Sequence, residues 1–208
     1  MTVSYLEPDI TTDKILSGID NLEEKEIWAV VVNLYHLFDV KVYLQDTKIK
    51  LAAAAAYPLG CNTVETKIEQ LKYAVEMHAD EIYFQLNYNA VKSRDWDYVN
   101  EEIKRMNDAA GEEITVITLL ETGIMCAEEK NEIYQLISRN NIRNIQLGSK
   151  MVAPASKEDI DIFTCEYGDK VERIDVYDKE TADRMQQQYW GEKINYLYMS
   201  IKGKNDRR

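Results

Sequence analysis

A chain of 208 residues has room for one continuous core and no clear room for two, so a single domain spanning 1–208 is expected. Its 37 acidic residues against 25 basic ones give a formal net charge of -12 at pH 7, a field that repels phosphate backbones and anionic lipid and argues against nucleic-acid and membrane partners. With 45% hydrophobic and 30% charged residues, the composition excludes a disordered chain.

Short apolar runs alternate with helical patterns from end to end. The first run is Val3 to Leu6, and Thr12-Asp13-Lys14 then opens a helix with Ile15, Leu16 and Ile19 on one side. A second run, Ile27 to Val32, is followed by a weakly patterned stretch over 34–45 that predicts at most a short helix. The third run, Ile49 to Ala56, contains the longest apolar stretch and ends in the turn Tyr57-Pro58-Leu59-Gly60. Thr63 next caps a helix carrying Ile68, Leu71, Tyr73 and Val75, with a lysine and glutamates expected along its solvent side.

The fourth run is Glu81 to Leu86, with a helix over 97–110 after it. Ile114 to Leu120 comes next, then a helix over 127–139. The sixth run, Ile142 to Leu147, leads to a helix over 156–166 whose Ser156-Lys157-Glu158-Asp159 start puts acids in the first turn. Val171 to Val176, a helix over 179–189 and Ile194 to Met199 complete the series.

Eight runs with intervening helices, at about 25 residues per unit, are the pattern of parallel α/β structure, and eight such units close a (β/α)8 TIM barrel near its lower size limit. No Gly-x-Gly-x-x-Gly turn follows any run, which disfavours an open dinucleotide-binding sheet. Nine residues remain after the eighth run, so the eighth helix is expected to be short or absent, and a second copy is expected to cover the exposed wall as a homo-oligomer. Cys61, Cys126 and Cys165 are odd in number and far apart, and the first residues carry no signal-peptide pattern, which together point to the cytoplasm. His36 and His78 stand at no metal-ligand spacing from a cysteine, so neither a metal nor a cofactor is expected.

Several motifs carry a family resemblance. Tyr57-Pro58-Leu59-Gly60, Thr63-Val64-Glu65-Thr66-Lys67, Ala79-Asp80-Glu81-Ile82-Tyr83, Lys92-Ser93-Arg94-Asp95-Trp96-Asp97 and Leu119-Leu120-Glu121-Thr122-Gly123 follow one another in the order found in deoxyribose-phosphate aldolases. Val30-Val31-Val32-Asn33 resembles that family's second strand. The resemblance implies a TIM barrel, and an aldolase (lyase) chemistry that works through a lysine Schiff base at the C-terminal ends of the strands.

The residues the resemblance assigns to that chemistry are absent from the matching positions. The Schiff-base lysine of strand six corresponds to Gln146 and a second lysine on strand seven falls near Ile174. The strand-four aspartate corresponds to Tyr83 and a strand-five lysine to Ile117. The family's phosphate-binding glycine turns read Tyr177-Asp178 and Tyr196-Leu197-Tyr198 here. An imine needs an amine, and a carboxamide cannot replace it.

The expectation is therefore a catalytically degenerate, aldolase-like pseudoenzyme that binds a small, sugar-like molecule or a protein partner. Asn33, Tyr83, Glu121 and Gln146 are the pocket positions the resemblance implies, and Tyr83, Tyr177, Tyr196 and Tyr198 are expected to fill the former mouth. The alternative is a divergent lyase acting on a deoxysugar phosphate, with Lys150 supplying the amine and Glu121 or Asp175 moving protons.

Overall fold

The computed structural model describes residues 1–22, 27–187 and 193–199. Eight parallel strands close on themselves in chain order: β1 (Thr2–Tyr5), β2 (Ala29–Asn33), β3 (Lys50–Ala55), β4 (Glu81–Gln85), β5 (Thr115–Leu120), β6 (Asn144–Leu147), β7 (Arg173–Val176) and β8 (Ile194–Met199). Closure comes from β8 lying beside β1, with Thr2 opposite Leu197 and Val3 opposite Tyr198. The helices are α1 (Thr12–Asp20), α2 (Leu37–Leu44), α3 (Val64–Glu76), α4 (Tyr88–Lys92), α5 (Trp96–Ala110), α6 (Ala127–Arg139), α7 (Lys157–Tyr167) and α8 (Lys179–Met185). This is the (β/α)8 barrel that the alternating runs predict.

The differences are local. Residues 34–45 form a 3-10 turn, Leu34–His36, running into α2. The unpredicted α4 starts where the Asn87 side chain accepts from the Asn89 and Ala90 amides. The far end of the helix predicted over 179–189, and the region after β8 where a short or missing eighth helix is expected, lie outside the described residues.

Alternation along each strand separates two cores. Outward residues such as Val30, Val32, Ala53, Ala55, Ile82 and Phe84 pack with helix residues such as Ile15, Leu71, Ile103 and Phe163 in one large shell. Inward residues Leu6, Val31, Ala52, Ala54, Tyr83 and Ile117 form a small separate cluster inside the barrel. The alanines of β3 explain how a tyrosine fits there, since Ala54 lies directly beside Tyr83 in the sheet and leaves its ring the space a larger neighbour would fill.

Two glycines shape the mouth. Gly60 ends the turn after β3 at φ +67°, and a Cβ there would lie 1.8 Å from the Leu86 carbonyl oxygen, so only glycine lets this turn close on the end of β4. Gly148, at φ +69°, folds the segment after β6 back on itself, where a Cβ would meet the Ala155 nitrogen at 2.2 Å. Helix starts follow the sequence signals. Thr63 accepts from the Thr66 amide, and Ser156 and Asp159 form the reciprocal capping box at α7.

On α3, Lys72 and Glu69 pair on the solvent side as expected, whereas Tyr73, expected with the apolar residues, is 40% exposed. The other lysine, Lys67, is fully buried, and its Nζ lies 2.6 Å from Glu102 Oε1 and 2.7 Å from the Gln85 carbonyl. Glu102 Oε2 also accepts from the Asn87 amide, so the pair ties α3, α5 and the exit of β4 together. Burial pushes Lys67 down and Glu102 up, toward neutral forms, while their mutual attraction opposes both shifts. Lys67→Met should cost about 3–5 kcal/mol, because Glu102 is left buried and uncompensated. Adding Glu102→Gln should recover most of that loss, and urea unfolding of the single and double variants measures it.

Candidate functional site at the barrel mouth

The inner ends of the strands carry two polar layers. The lower one centres on Arg173, the inward residue at the start of β7. Its Nη1 donates to both Glu81 oxygens at 2.9 Å, its Nε to Asp175 Oδ1 at 2.8 Å and its Nη2 to Asp175 Oδ2 at 2.9 Å. Nη2 also reaches the Tyr83 hydroxyl at 2.7 Å and Thr2 Oγ1 at 3.2 Å. Tyr83 donates to Asp175 Oδ2 at 2.5 Å, and Asn195 donates to Asp175 Oδ1 and to Thr2. At the edge of this layer Lys50 and the Trp28 indole both reach Glu81 Oε1 at 3.3 Å.

Both oxygens of Asp175 are thereby occupied. Burial works against the Arg173 charge, yet Asp175, Tyr83 and Glu81 outweigh it and hold the guanidinium protonated. Burial also pushes the Tyr83 phenol well above its usual value, with Asp175 adding to the rise. Tyr83 is a hydrogen-bond donor here and not a base.

The upper layer is the mouth. Glu121, fully buried at the exit of β5, accepts from the Ser149 amide at 3.0 Å and so holds the loop after β6 against the barrel. That loop returns through a bridge between Gly148 and Pro154. Gln146 turns its Nε2 to the Gly148 carbonyl at 2.7 Å and meets the Tyr177 hydroxyl. Tyr177 packs on Leu197 and Tyr57 on the Leu6–Ile117 cluster. Burial raises Glu121 and both tyrosines. Glu121 and Glu7 add to the rise at Tyr57, and Asp175 and Glu121 to that at Tyr177.

Of the residues singled out in the sequence, Tyr83, Gln146, Glu121 and Asp175 share the barrel interior, and Asn33 lies half-buried at the end of β2. Lys150 is exposed on the loop after β6, its Nζ 5.4 Å from the centre of the Tyr177 ring. Ile174 is not an interior position. It packs in the outer shell, and the inward residues of β7 are Arg173 and Asp175. Of the four tyrosines expected at the mouth, Tyr177 lies there and Tyr83 lies one layer below, on Arg173 and Asp175. Tyr196 packs on the outer shell, and Tyr198 lies beside Val3, an outer-shell residue, and is 38% exposed. Tyr196-Leu197-Tyr198 lies within β8, so the turn after that strand falls outside the described residues. Arg173 went unnoticed in the sequence, although Arg173-Ile174-Asp175 on a strand carries the period-two signal that places both charges on one face.

No family model matches the chain. A deoxyribose-phosphate aldolase of Ureaplasma urealyticum is 29% identical over 167 residues, 80% of this chain and 77% of its own length. One from Lactococcus lactis subsp. cremoris is 31% identical over 133 residues, covering 64% and 60%. This chain is a relative of the deoxyribose-phosphate aldolases. Solved structures agree on the fold. The aldolase QR15 superposes with a TM-score of 0.82 at 22% identity, over 96% of this chain and 89% of that one. A putative deoxyribose-phosphate aldolase from Coccidioides immitis gives 0.82 at 18% identity, over 95% and 79%. Among the described residues, no helix is long and apolar enough to cross a membrane.

Two outcomes follow for an aldolase relative with this interior. Arg173→Met should destabilise by about 3–5 kcal/mol in urea unfolding, because Glu81 and Asp175 would stay buried without their cation. Lys at this position should rescue little, since an ammonium cannot grip two carboxylates in a planar fork. For Glu121, the folded protein holds the carboxyl proton more tightly than the unfolded chain does. Its cost to stability is therefore absent below the ordinary carboxyl value of 4.5 and grows as pH rises through the raised folded-state value. Glu121→Gln should raise the melting temperature at pH 7, with the gain shrinking toward pH 4.

Proposed function

We propose that this barrel is a catalytically silent relative of the deoxyribose-phosphate aldolases, which binds a small polar molecule at its mouth and forms no Schiff base. The observation that carries this reading is the occupancy of the interior. Gln146 stands at the position matching the family's reactive lysine. The inward residues nearest to it on the neighbouring strands are Leu119 and Asp175, and Tyr83 and Ile117 fill the barrel below. Schiff-base formation needs a neutral amine beside the carbonyl and a group to move protons. Gln146 has no such amine, and Asp175, the nearest carboxylate, has both oxygens taken by Arg173, Tyr83 and Asn195. Lys50 sits at the opposite end of the barrel on Glu81, and Lys67 lies in the outer layer on Glu102.

One observation favours a second reading. The Lys150 amine lies over Tyr177 at the rim of the mouth, where it could reach a carbonyl compound, with Glu121 beneath. In that reading the chain is a lyase with a relocated nucleophile acting on a deoxysugar phosphate. Incubation with acetaldehyde or deoxyribose 5-phosphate, borohydride reduction and intact-mass measurement separates the two. We expect an unchanged mass. An adduct mapped to Lys150 and absent from Lys150→Ala would replace the first reading by the second.

A further inference from the structure

The mouth retains a binding capacity that its own side chains leave unused. Glu121 is fully buried, and its Oε2 is satisfied by the Ser149 amide, but Oε1 has no donor in hydrogen-bond geometry. The Ser149 side chain and the Ala153 backbone lie near the carboxyl, and neither makes a hydrogen bond to Oε1. The Tyr57 hydroxyl, which belongs to the same group of side chains, is likewise buried and makes no hydrogen bond, with the Ser149 side chain near it. Orphaned buried polar atoms are rare because each costs desolvation without return, and a carboxylate oxygen costs more than a neutral one. A partner from outside the chain accounts for both atoms: a hydroxyl donates to Oε1, and a second oxygen meets the phenol.

The surrounding charge selects among such partners. Glu121 acts on both mouth phenols, Tyr57 and Tyr177, so each faces a buried carboxyl. Asp178 stands at the exit of β7, where a phosphate would need close backbone approach, and the Tyr177 side chain occupies the preceding position. Among the described residues the rim offers Lys150 against this, and its amine already lies over the Tyr177 ring. Arg173, below, spends its donors on Glu81, Asp175, Tyr83 and Thr2.

We propose that the mouth takes a small uncharged polyhydroxyl compound, one hydroxyl of which donates to Glu121 Oε1, and that it discriminates against the phosphorylated form of the same compound. This rests on reading the mouth as a binding site and reverses the charge preference that the name of the aldolase relatives implies. A matched pair of probes isolates the charge: 2-deoxyribose and 2-deoxyribose 5-phosphate, each titrated calorimetrically into the full chain and into Glu121→Gln at pH 7.

The free sugar should bind at least about tenfold more tightly than its phosphate. Glu121→Gln should weaken the free sugar by about tenfold or more, the scale of a lost hydrogen bond to a charged acceptor, or about 1.4 kcal/mol. The variant should remain folded, because removing a buried carboxylate relieves a cost. Equal or tighter binding of the phosphate overturns the proposal, as does an unchanged affinity in Glu121→Gln. Binding of neither probe overturns it too, and would mean that water alone meets Oε1. All three results leave the borohydride outcome untouched, so this inference and the absence of Schiff-base chemistry fail separately.

Discussion

Arg173 holding Glu81 and Asp175 at once is the interaction on which the barrel interior depends. Three strands that are far apart in sequence meet through it, since Glu81 belongs to β4, Arg173 and Asp175 to β7, and Thr2, at its edge, to β1. Glu81 and Asp175 are buried to 1% and 0% exposure, and their ion pairs with Arg173 offset the cost of taking them out of water. A guanidinium suits the task because it stays charged and its planar donors match two carboxylates at once. The surrounding groups complete the network: Tyr83 and Asn195 take the remaining lone pairs of Asp175, and Lys50 and Trp28 reach Glu81 from outside. A buried polar network holds a structure together when its members are satisfied, and this one is nearly so.

The network also defines what the interior can do. A reactive amine must spend part of its time neutral, and a proton-transfer group must have a free lone pair or a movable proton. In this interior the cation is a guanidinium held charged, the carboxylates are spent on it, and the phenol of Tyr83 is fixed as a donor. Among the described residues, the barrel therefore surrounds a centre whose charges are paired with one another. Unmet polar capacity lies one layer higher, at Glu121 and Tyr57, where the loop after β6 folds over the mouth.

Much of the architecture was legible in the chain. Eight apolar runs, the caps at Thr63 and Ser156, and the turn at Gly60 are local signals: backbone sterics and hydrogen bonding within a few residues enforce them. The inward and outward sides of the strands were legible in principle and were misread in two places. The resemblance puts the chemical position of β7 near Ile174 and makes Tyr196 and Tyr198 mouth residues. Alternation sends Ile174, Tyr196 and Tyr198 outward and Arg173, Asp175 and Leu197 inward. The burial of Lys67 is not legible in the sequence for a different reason. A lysine on a helix with a polar pattern is ordinarily solvated, and what buries it is Glu102, 35 residues away on a neighbouring helix.

The sequence alone determined that the chain forms a closed α/β barrel, and that position 146 carries a carboxamide and no amine, because element type and residue identity are properties of short segments. Only the tertiary structure decided what surrounds that position. The Arg173 clamp, the engagement of Asp175 by Tyr83 and Asn195, and the unpartnered oxygen of Glu121 each depend on side chains brought together from strands 20 to 92 residues apart. Closure of the barrel creates those proximities, and with them the desolvation that makes each charge consequential.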